Sequence, residues 1–329
     1  MRWIWVFVAC ALGAGAPATV FAAGGPVPVM QDGPGVSVRG SDARYVAVGA
    51  RGQTLVKRVS RANGKLERSI RLRGRFGIAG VANDGSRTGL SANGRTLVLA
   101  EMPGTRFPPT RTRLVALDAR KMHARTPISL GGYYMLDAIS ATGRWLYLIH
   151  YTSASDLNRY EVRAYDLPGR RLIAQPVVDP RERGAMQGLP VTRAMSADGR
   201  WAYTLYDRPG STPFIHALDT QRRRAVCVDL PAASSQNVFS SRLTLGPRAE
   251  TLRIELAGST VAVVDTRTFT VRPPAAPRSP STPAPHGTPS SHAGGVPLGL
   301  GAIAAGLVML ALIAHRRSRV RSAPMAHGH

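Results

Sequence analysis

The sequence is poor in several residue types. It has two cysteines, Cys10 and Cys227, only three lysines among its 43 basic residues, and an aromatic content of 6% over 329 residues. Two cysteines exclude a disulfide-stapled scaffold and any cysteine-rich zinc or iron–sulfur module. A hydrophobic content of 44% excludes a largely disordered chain. Between its two ends the sequence also lacks a long stretch with the 3.6-residue apolar period of an amphipathic helix, which favours β-structure.

Acidic residues are scarce as well, with 19 against 43 basic residues and a net charge of +24. All 19 acids and 38 of the basic residues lie between residues 24 and 295, so that portion has a net charge of +19. One interpretation is a negatively charged partner. The other is coding bias, because an arginine-rich, lysine-poor composition is typical of a high-GC bacterium such as an actinobacterium. The sequence leaves both open.

The first 23 residues have the pattern of a secretory signal peptide. Arg2 precedes an apolar run at residues 3–12, and small residues then lead to Ala22 and Ala23. Cleavage is expected after one of these two alanines. An uncleaved anchor is the alternative, but the apolar run is short for a span. We therefore expect the mature chain to begin near residue 24.

The C-terminal end has the pattern of a membrane anchor. Residues 296–314 carry no charge, and as a helix at about 1.5 Å per residue they would extend roughly 28 Å, close to the thickness of a hydrocarbon core. Residues 315–329 contain four arginines and are predicted to be a cytoplasmic tail. Residues 273–295 hold seven prolines and are predicted to be a disordered stalk. Together with the signal peptide, this predicts a single-pass protein of the cell membrane with residues 24–272 outside the cytoplasm.

Residues 24–272 contain a repeat. A turn motif, Ser-Ala-x-Gly-Arg, begins at Ser91, Ser140 and Ser196, and weaker copies begin at Ser41 and Gly246. An apolar strand follows each copy. A second motif, an apolar strand that closes on aspartate, recurs with the same spacing of about 50 residues. Its aspartates are Asp118, Asp166, Asp219 and Asp265.

Each copy has the length of a propeller blade and has turn residues where a blade has turns. The pairs Asn93-Gly94 and Asp198-Gly199 are typical of tight turns that require a positive φ. An aspartate that closes a strand can accept hydrogen bonds from the backbone of the next turn. Four strands in about 50 residues form one blade. The sequence therefore predicts an all-β fold, a β-propeller of about five four-stranded blades, with residues 35–38 as the first inner strand.

The repeat resembles the bacterial surface-layer propellers that carry Tyr-Val-Thr-Asn repeats, which are similar in architecture to WD40-like and TolB-like propellers. The residues that carry the resemblance are the turn at 196–200, the strand at 202–204 and the closing segment at 263–266. The segments at 147–150 and 203–206 depart from the signature tetrad, and the sequence has no Trp-Asp pair. The resemblance implies an extracytoplasmic propeller. It implies no specific activity, because propellers support many functions.

No motif for catalysis, a cofactor or a metal is found. The sequence has no nucleophile elbow, phosphate loop, dinucleotide fingerprint or closely spaced histidine pair. The repeated aspartates are predicted to be turn caps, because acid–base catalysis needs carboxylates in different environments. We therefore predict no catalytic, cofactor-binding or metal-binding residue and no cofactor. Trp145 and Trp201 occupy the same position in consecutive copies and are predicted to pack between blades.

Five residues remain as candidates for binding. His150 and His216 lie on predicted strands where other copies have no histidine. Each is either a ligand or base at the central channel or a structural residue, as strand histidines more often are. Arg222, Arg223 and Arg224 form a basic cluster suited to an anionic partner. Cys227 lies in an apolar strand and is predicted to be a buried thiol.

These features predict a membrane-anchored binding or protein-interaction module at the cell envelope. Its expected partners are the membrane, through a single span, and an anionic cell-wall polymer or an envelope protein. Nucleic acid is not expected, because the predicted topology places the propeller outside the cytoplasm. The main alternative is a propeller-type enzyme, a hydrolase or oxidoreductase, with polar residues from several blades converging in the central channel. A sensor that signals through the span is a third alternative.

Overall fold

The structure is a computed structural model. It describes residues 29–182, 186–208, 210–233 and 237–273. The predicted signal peptide, the predicted span and tail, and the predicted stalk after residue 273 lie outside the described residues. Within those residues, no helix has the length and apolar character needed to cross a membrane. Regular structure there consists of strands and two short 3₁₀ helices, Pro231–Ala233 and Val238–Ser240.

The described residues form 22 strands. In chain order the strands are β1 (Val29–Met30), β2 (Val36–Ser37), β3 (Ala43–Ala50), β4 (Gln53–Ser60), β5 (Leu66–Arg73), β6 (Phe76–Ala79), β7 (Thr96–Glu101), β8 (Arg111–Asp118), β9 (His123–Gly131), β10 (Tyr133–Ile139), β11 (Trp145–Tyr151), β12 (Arg159–Asp166), β13 (Arg171–Pro176), β14 (Met186–Gln187), β15 (Leu189–Met195), β16 (Trp201–Asp207), β17 (Phe214–Asp219), β18 (Arg224–Asp229), β19 (Ser241–Leu245), β20 (Thr251–Leu256), β21 (Ser259–Asp265) and β22 (Val271–Arg272).

These strands form five antiparallel sheets that follow one another along the chain. In order, the sheets are β2-β3-β4-β5, β1-β6-β7-β8-β9, β10-β11-β12-β13 with β14 on β12, β15-β16-β17-β18, and β19-β20-β21-β22. Each sheet contains a four-stranded meander that runs outwards from its inner strand, and blade 2 adds β1 at its inner edge. We call the sheets blades 1 to 5, because this is the arrangement of a β-propeller. The prediction of about five four-stranded blades, with the first inner strand at Val36–Ser37, is confirmed.

Consecutive blades pack through apolar clusters. Tyr45 and Val56 of blade 1 pack with Leu97 of blade 2, and Tyr203 of blade 4 packs with Ile254 of blade 5. The middle strands are buried on both sides, because successive side chains point alternately to the preceding and the following blade. This explains why β7, β11 and β16 are nearly continuous apolar runs instead of alternating ones.

Two sets of turns lie at one end of the strands, which we call the turn face. The first set is the Ser-Ala-x-Gly-Arg motif, which joins the first and second strands of a blade. In blade 4, Ser196 Oγ donates to Asp198 Oδ1 at 2.6 Å and accepts the backbone N–H of Trp201 at 2.8 Å. Gly199 closes the turn with a φ of +71°, a conformation that glycine adopts without steric cost. The predicted hairpin turns are confirmed.

The second set of turns joins the third and fourth strands and begins at the repeated aspartates. Asp118 Oδ1 accepts backbone N–H groups of the two residues that lie two and three positions later, at 3.1 and 2.9 Å. Asp219 and Asp265 make the same pair of bonds. Asp166 does not, because Pro168 has no N–H at the required position, and Arg144 Nε lies 3.5 Å from its carboxylate instead. The prediction of turn caps is therefore confirmed at three of the four aspartates.

The space beside the inner strands is crossed by a loop of blade 2. After β6, residues 80–89 leave the sheet and reach β15, the inner strand of blade 4. The backbone N–H groups of Asn83 and Asp84 donate to the carbonyls of Pro190 and Val191, both at 3.0 Å. Thr192 Oγ1 donates to Asp84 Oδ2 at 2.6 Å.

The turns of blades 2, 3 and 4 also meet on the turn face. The backbone N–H of Asn93 donates to the carbonyl of Ala141 at 3.1 Å. A Cβ placed on Gly199 would lie 2.5 Å from that of Ala92, so this approach requires glycine. The turns of these three blades therefore contact one another at this end of the inner strands.

Candidate functional site

His150 lies between blades 2 and 3, on the second strand of blade 3. Its ring stacks on Tyr134 with centroids 4.3 Å apart and 10° between the planes. Its Nδ1 is 3.1 Å from Glu161 Oε1, which also accepts from Arg163 at 2.7 Å. The stacking partner Tyr134 lies on the inner strand β10, and the two ring contacts hold the imidazole against the sheet.

His216 lies between blades 3 and 4, on the third strand of blade 4. Its side chain stands in register between Thr204 and Cys227 and is 1% exposed. Its Nε2 has no hydrogen-bond partner. Burial lowers the pKa of His216 to about 4, and the nearby ion pair of Asp137 and Arg193 changes this little. The imidazole is therefore neutral at pH 7.

The structure does not bring the two histidines together. They occupy different blade interfaces, and neither stands on an inner strand. The described residues contain no group of three histidine, cysteine, aspartate or glutamate side chains that could hold a metal ion. Both side chains pack within their sheets, and the binding role predicted for them stays a prediction.

Cys227 is free and half-buried. Burial raises the pKa of its thiol to about 12, so the thiolate is rare at pH 7 and the group is a poor nucleophile. The prediction of a buried thiol is therefore met only in part, because Cys227 is of intermediate exposure.

The two tryptophans pack between blades as predicted. Trp201 lies edge-on to Phe269 of blade 5, with centroids 5.3 Å apart. Trp145 packs beside blade 4, where the Arg223 guanidinium lies 4.6 Å from its ring centroid. Aromatic side chains at this position give each blade a large flat contact with the next one.

The three consecutive arginines point to different sides of blade 4. Arg223 covers the ring of Trp145 on the side of blade 3, a cation–π contact. Arg222 and Arg224 line a groove between blades 4 and 5. This alternation follows from the turn, in which Arg223 has a positive φ of 56°. Within this run of three arginines, Arg223 therefore packs on an aromatic ring, whereas Arg222 and Arg224 face the groove.

The groove between blades 4 and 5, which we call the arginine groove, opens on the turn face and has a volume of about 780 Å³. Trp201 and Phe269 line it together with side chains from four turns. Its arginines are Arg200, Arg222, Arg224, Arg248 and Arg267.

The two aspartates of the arginine groove are already engaged. Asp219 Oδ2 accepts from Arg200 at 2.9 Å, and its Oδ1 accepts two backbone N–H groups. Asp198 accepts from Ser196 and from the backbone of Arg200, and although burial acts to raise its pKa, these bonds hold the pKa below its usual value. Within the described residues the other four arginines have no acidic partner, and all four are exposed.

The arginine groove belongs to a face that is basic as a whole. The ten turns of the turn face carry thirteen basic and three acidic residues, and four further aspartates close the strands that lead into these turns. The basic residues are Arg39, Arg61, Lys65, Arg95, Arg120, Lys121, Arg144, Arg170, Arg200, Arg222, Arg223, Arg248 and Arg267. Most of the acids accept backbone N–H groups within the turns, whereas twelve of the thirteen basic residues are exposed. The turn face therefore has a net positive charge, +6 when the four strand-closing aspartates are counted.

Sequence reasoning identified Arg222 and Arg224 but missed Arg200, Arg248 and Arg267. These three stand in separate turns: Arg200 and Arg248 in equivalent turns of blades 4 and 5, and Arg267 in the turn that follows Asp265. Arginine at the fifth position of the Ser-Ala-x-Gly-Arg turn was the available signal for Arg200, because equivalent positions of consecutive blades must lie side by side at one end of a propeller.

Comparisons with known proteins agree with the fold only. No family model matches the chain, and no curated protein matches it. Hydrazine synthase of Kuenenia stuttgartiensis is 13% identical with a TM-score of 0.39, covering 78% of this chain and 80% of that chain. TolB of Acinetobacter baumannii is 9% identical with a TM-score of 0.41, covering 70% and 50%. A protein of unknown function from Desulfotomaculum acetoxidans is 16% identical with a TM-score of 0.45, covering 75% and 68%.

These similarities are distant, so the assignment of the fold rests on the five consecutive four-stranded meanders of the chain itself. In the part that the structure describes, the protein is a β-propeller.

Proposed function

We propose that the protein is an interaction module of the cell envelope that binds a polyanion through the turn face. The arginine groove carries this proposal, because four exposed arginines share one depression without an acidic partner among the described residues. A phosphate-bearing cell-wall polymer is the ligand that fits best. Extracytoplasmic display and the membrane anchor are part of the proposal and rest on residues 1–23 and 296–314 of the sequence.

The distribution of charge favours an extended ligand over a single small anion. Basic side chains occur in turns of all five blades on this face. Arginines arranged along a surface can each contact a different anionic group of a polymer, often through two parallel hydrogen bonds. Binding of this kind displaces counterions, so affinity falls steeply with salt.

The test compares retention of the full chain on two preparations of bacterial cell wall. One keeps its phosphodiester polymers, and the other has been stripped of them with hydrofluoric acid. We expect retention on the first at about 50 mM salt, release at about 500 mM, and little retention on the second. Equal retention on both preparations, or retention that salt does not weaken, would overturn the proposal.

A charge-matched pair of variants tests the site. The triple variant Arg222→Gln, Arg224→Gln and Arg248→Gln is expected to lose about tenfold or more in affinity, roughly half to one order per removed contact at low salt. The control variant Arg71→Gln, Arg73→Gln and Arg106→Gln removes the same charge from exposed side chains outside the turn face and should lose less than twofold. Equal losses would show attraction to net charge alone.

The enzyme alternative has no supporting observation among the described residues. The loop at 80–89 crosses from blade 2 to blade 4, where a channel site would have to lie. A close histidine–carboxylate pair, His150 and Glu161, lies between blades 2 and 3 and also engages Arg163.

A further inference from the structure

A second cavity lies at the other end of the strands, between blades 2 and 3. We call it the far-face pocket, because it opens where β7 ends and where β8 and β10 begin. Its volume is about 670 Å³, within the range of pockets that bind small molecules. It shares no residue with the arginine groove, so it is independent of the proposed function.

The interior of the far-face pocket is apolar and adaptable. Met30, Met102 and Met135, three of the nine methionines of the chain, line it. Unbranched thioether side chains adjust to ligands of different shape. At its mouth the ring of Phe107 is 51% exposed and lies edge-on to Tyr133, with centroids 5.6 Å apart. The exposed ring extends the apolar surface of the pocket to its mouth.

The charged groups of the far-face pocket leave one cation uncompensated. Arg113 is 3.2 Å from Glu101, so these two neutralise each other. Arg111, at the start of β8, is exposed and has no acidic partner within the described residues. Thr112, between the two arginines, is occupied by bonds to the backbone of Tyr134 and to Gly132. The pocket therefore offers an apolar interior and a single free guanidinium.

We propose that the far-face pocket binds a small amphipathic acid. The apolar or aromatic body would pack against the methionines, Phe107 and Tyr133, and one carboxylate, sulfonate or phosphate would pair with Arg111. Charge complementarity favours an acid over a neutral apolar ligand, because a neutral ligand would form no ion pair with the free guanidinium. A dianion is disfavoured, since Glu101 stands at the same rim.

The test uses two probes of the same shape and different charge, naphthalene-2-carboxylate and naphthalene-2-methanol. The full chain is held in phosphatidylcholine nanodiscs, with empty nanodiscs as the blank, and binding is followed by calorimetry. We expect the carboxylate to bind about tenfold more tightly than the alcohol, the gain of one charge-assisted pair. Failure of both probes to bind above the blank overturns the proposal.

Variants assign the two halves of the far-face pocket. Arg111→Gln should weaken the carboxylate about tenfold and the alcohol less than twofold, whereas Phe107→Ala should weaken both. Gly104→Trp should block both, because no atom lies within 4 Å of a Cβ at Gly104 and the new ring has space to occupy the mouth. Arg248→Gln, which removes an equal charge from the turn face, should change neither. Equal effects of the two arginine variants would overturn the assignment.

One further arm separates a free acid from a membrane lipid, which has the same chemistry. Half of the phosphatidylcholine in the nanodiscs is replaced with phosphatidate. Unchanged binding of naphthalene-2-carboxylate supports a free small acid as the ligand. Loss of its binding would identify the occupant as a lipid chain and overturn the proposal in this form.

Discussion

Two buried ionisable side chains govern the pH response that we expect at the scale of single residues. His216 is buried without a partner for Nε2, and its pKa falls to about 4. Asp179 is buried with partners: although burial acts to raise its pKa, hydrogen bonds from Arg181 and from the backbone N–H of Cys227 lower it to about 2. The first favours unfolding in weak acid, and the second favours unfolding only in stronger acid, so their effects separate along the pH scale.

His216→Leu is expected to remove the loss of stability in weak acid. The pKa of His216 in the folded state lies below its unfolded value of about 6.5, so the unfolded state binds more protons and stability falls as pH drops from about 6.5 to about 4. The expected loss is up to about 3 kcal/mol. Urea unfolding at pH 7, 5 and 4 measures it. The exposed His123→Leu variant is the control, and an unchanged pH slope in His216→Leu would contradict the burial argument.

Asp179→Asn is expected to destabilise the protein near neutral pH. The folded pKa of Asp179 lies below its unfolded value of about 3.9, so this carboxylate stabilises the fold above pH 4 and the contribution disappears as pH falls towards 2. We expect a loss of about 2 kcal/mol at pH 6 and a flatter curve between pH 4 and 2. Thermal unfolding across this pH range measures both effects, with the exposed Asp229→Asn as the control variant. Equal stability curves for the two variants would contradict the prediction.

At the scale of strands and turns, local signals predicted the fold well. The Ser-Ala-x-Gly-Arg turns and the aspartate caps are made by residues within five positions of one another, so their geometry follows from the local sequence. The loop at 80–89 could not be predicted in this way. Its contacts to β15 join residues more than 100 positions apart, and nothing in the loop sequence specifies that partner.

The candidate site was predictable only in part for the same reason. Arg222 and Arg224 stand out as a run, but the arginine groove also needs Arg248 and Arg267, which come from blade 5. The far-face pocket forms where the ends of β7, β8 and β10 meet at one interface. This meeting follows from the packing of two blades, so the sequence of any single segment could not predict it.

Asp84→Ala is expected to loosen the crossing loop and the inner strand that it contacts. The variant loses the bond from Thr192 Oγ1 and the bond from the backbone N–H of Ser86. We expect a destabilisation of about 1–2 kcal/mol, because Thr192 is buried and would be left without this partner. Hydrogen exchange should become faster in β15 by about tenfold.

Asp42→Ala provides the matched control for the loop. Asp42 also accepts a backbone N–H, that of Ala62 at 2.8 Å, but within one blade. Loss of this bond should make amide hydrogen exchange faster near residue 62 and leave the exchange rates in β15 unchanged. If Asp84→Ala had no effect on β15, the loop would not support the inner strand of blade 4.

At the scale of the whole molecule, the net charge of +24 divides into parts with different roles. One arginine belongs to the predicted signal peptide and four to the predicted tail. Within the propeller, the turns leave most of their basic residues exposed and use aspartate in backbone bonds, so the turn face carries part of the excess. A ligand for this face and a small acid for the far-face pocket would then bind at opposite ends of the same strands.

The predicted membrane topology can be tested by labelling single introduced cysteines, because the native thiol is expected to react slowly. Removal of the signal peptide leaves Cys227, and a pKa of about 12 keeps its thiolate rare at pH 7. A membrane-impermeant maleimide should therefore label the wild-type chain slowly, both in intact and in permeabilised cells. Ser281→Cys, in the predicted stalk, should react in intact cells, because that segment is expected outside the membrane. Ser322→Cys, in the predicted tail, should react only after permeabilisation. The reverse order would place the propeller in the cytoplasm and remove the cell-wall polymer as a partner. Fast labelling of the wild-type chain would contradict the raised pKa of the Cys227 thiol.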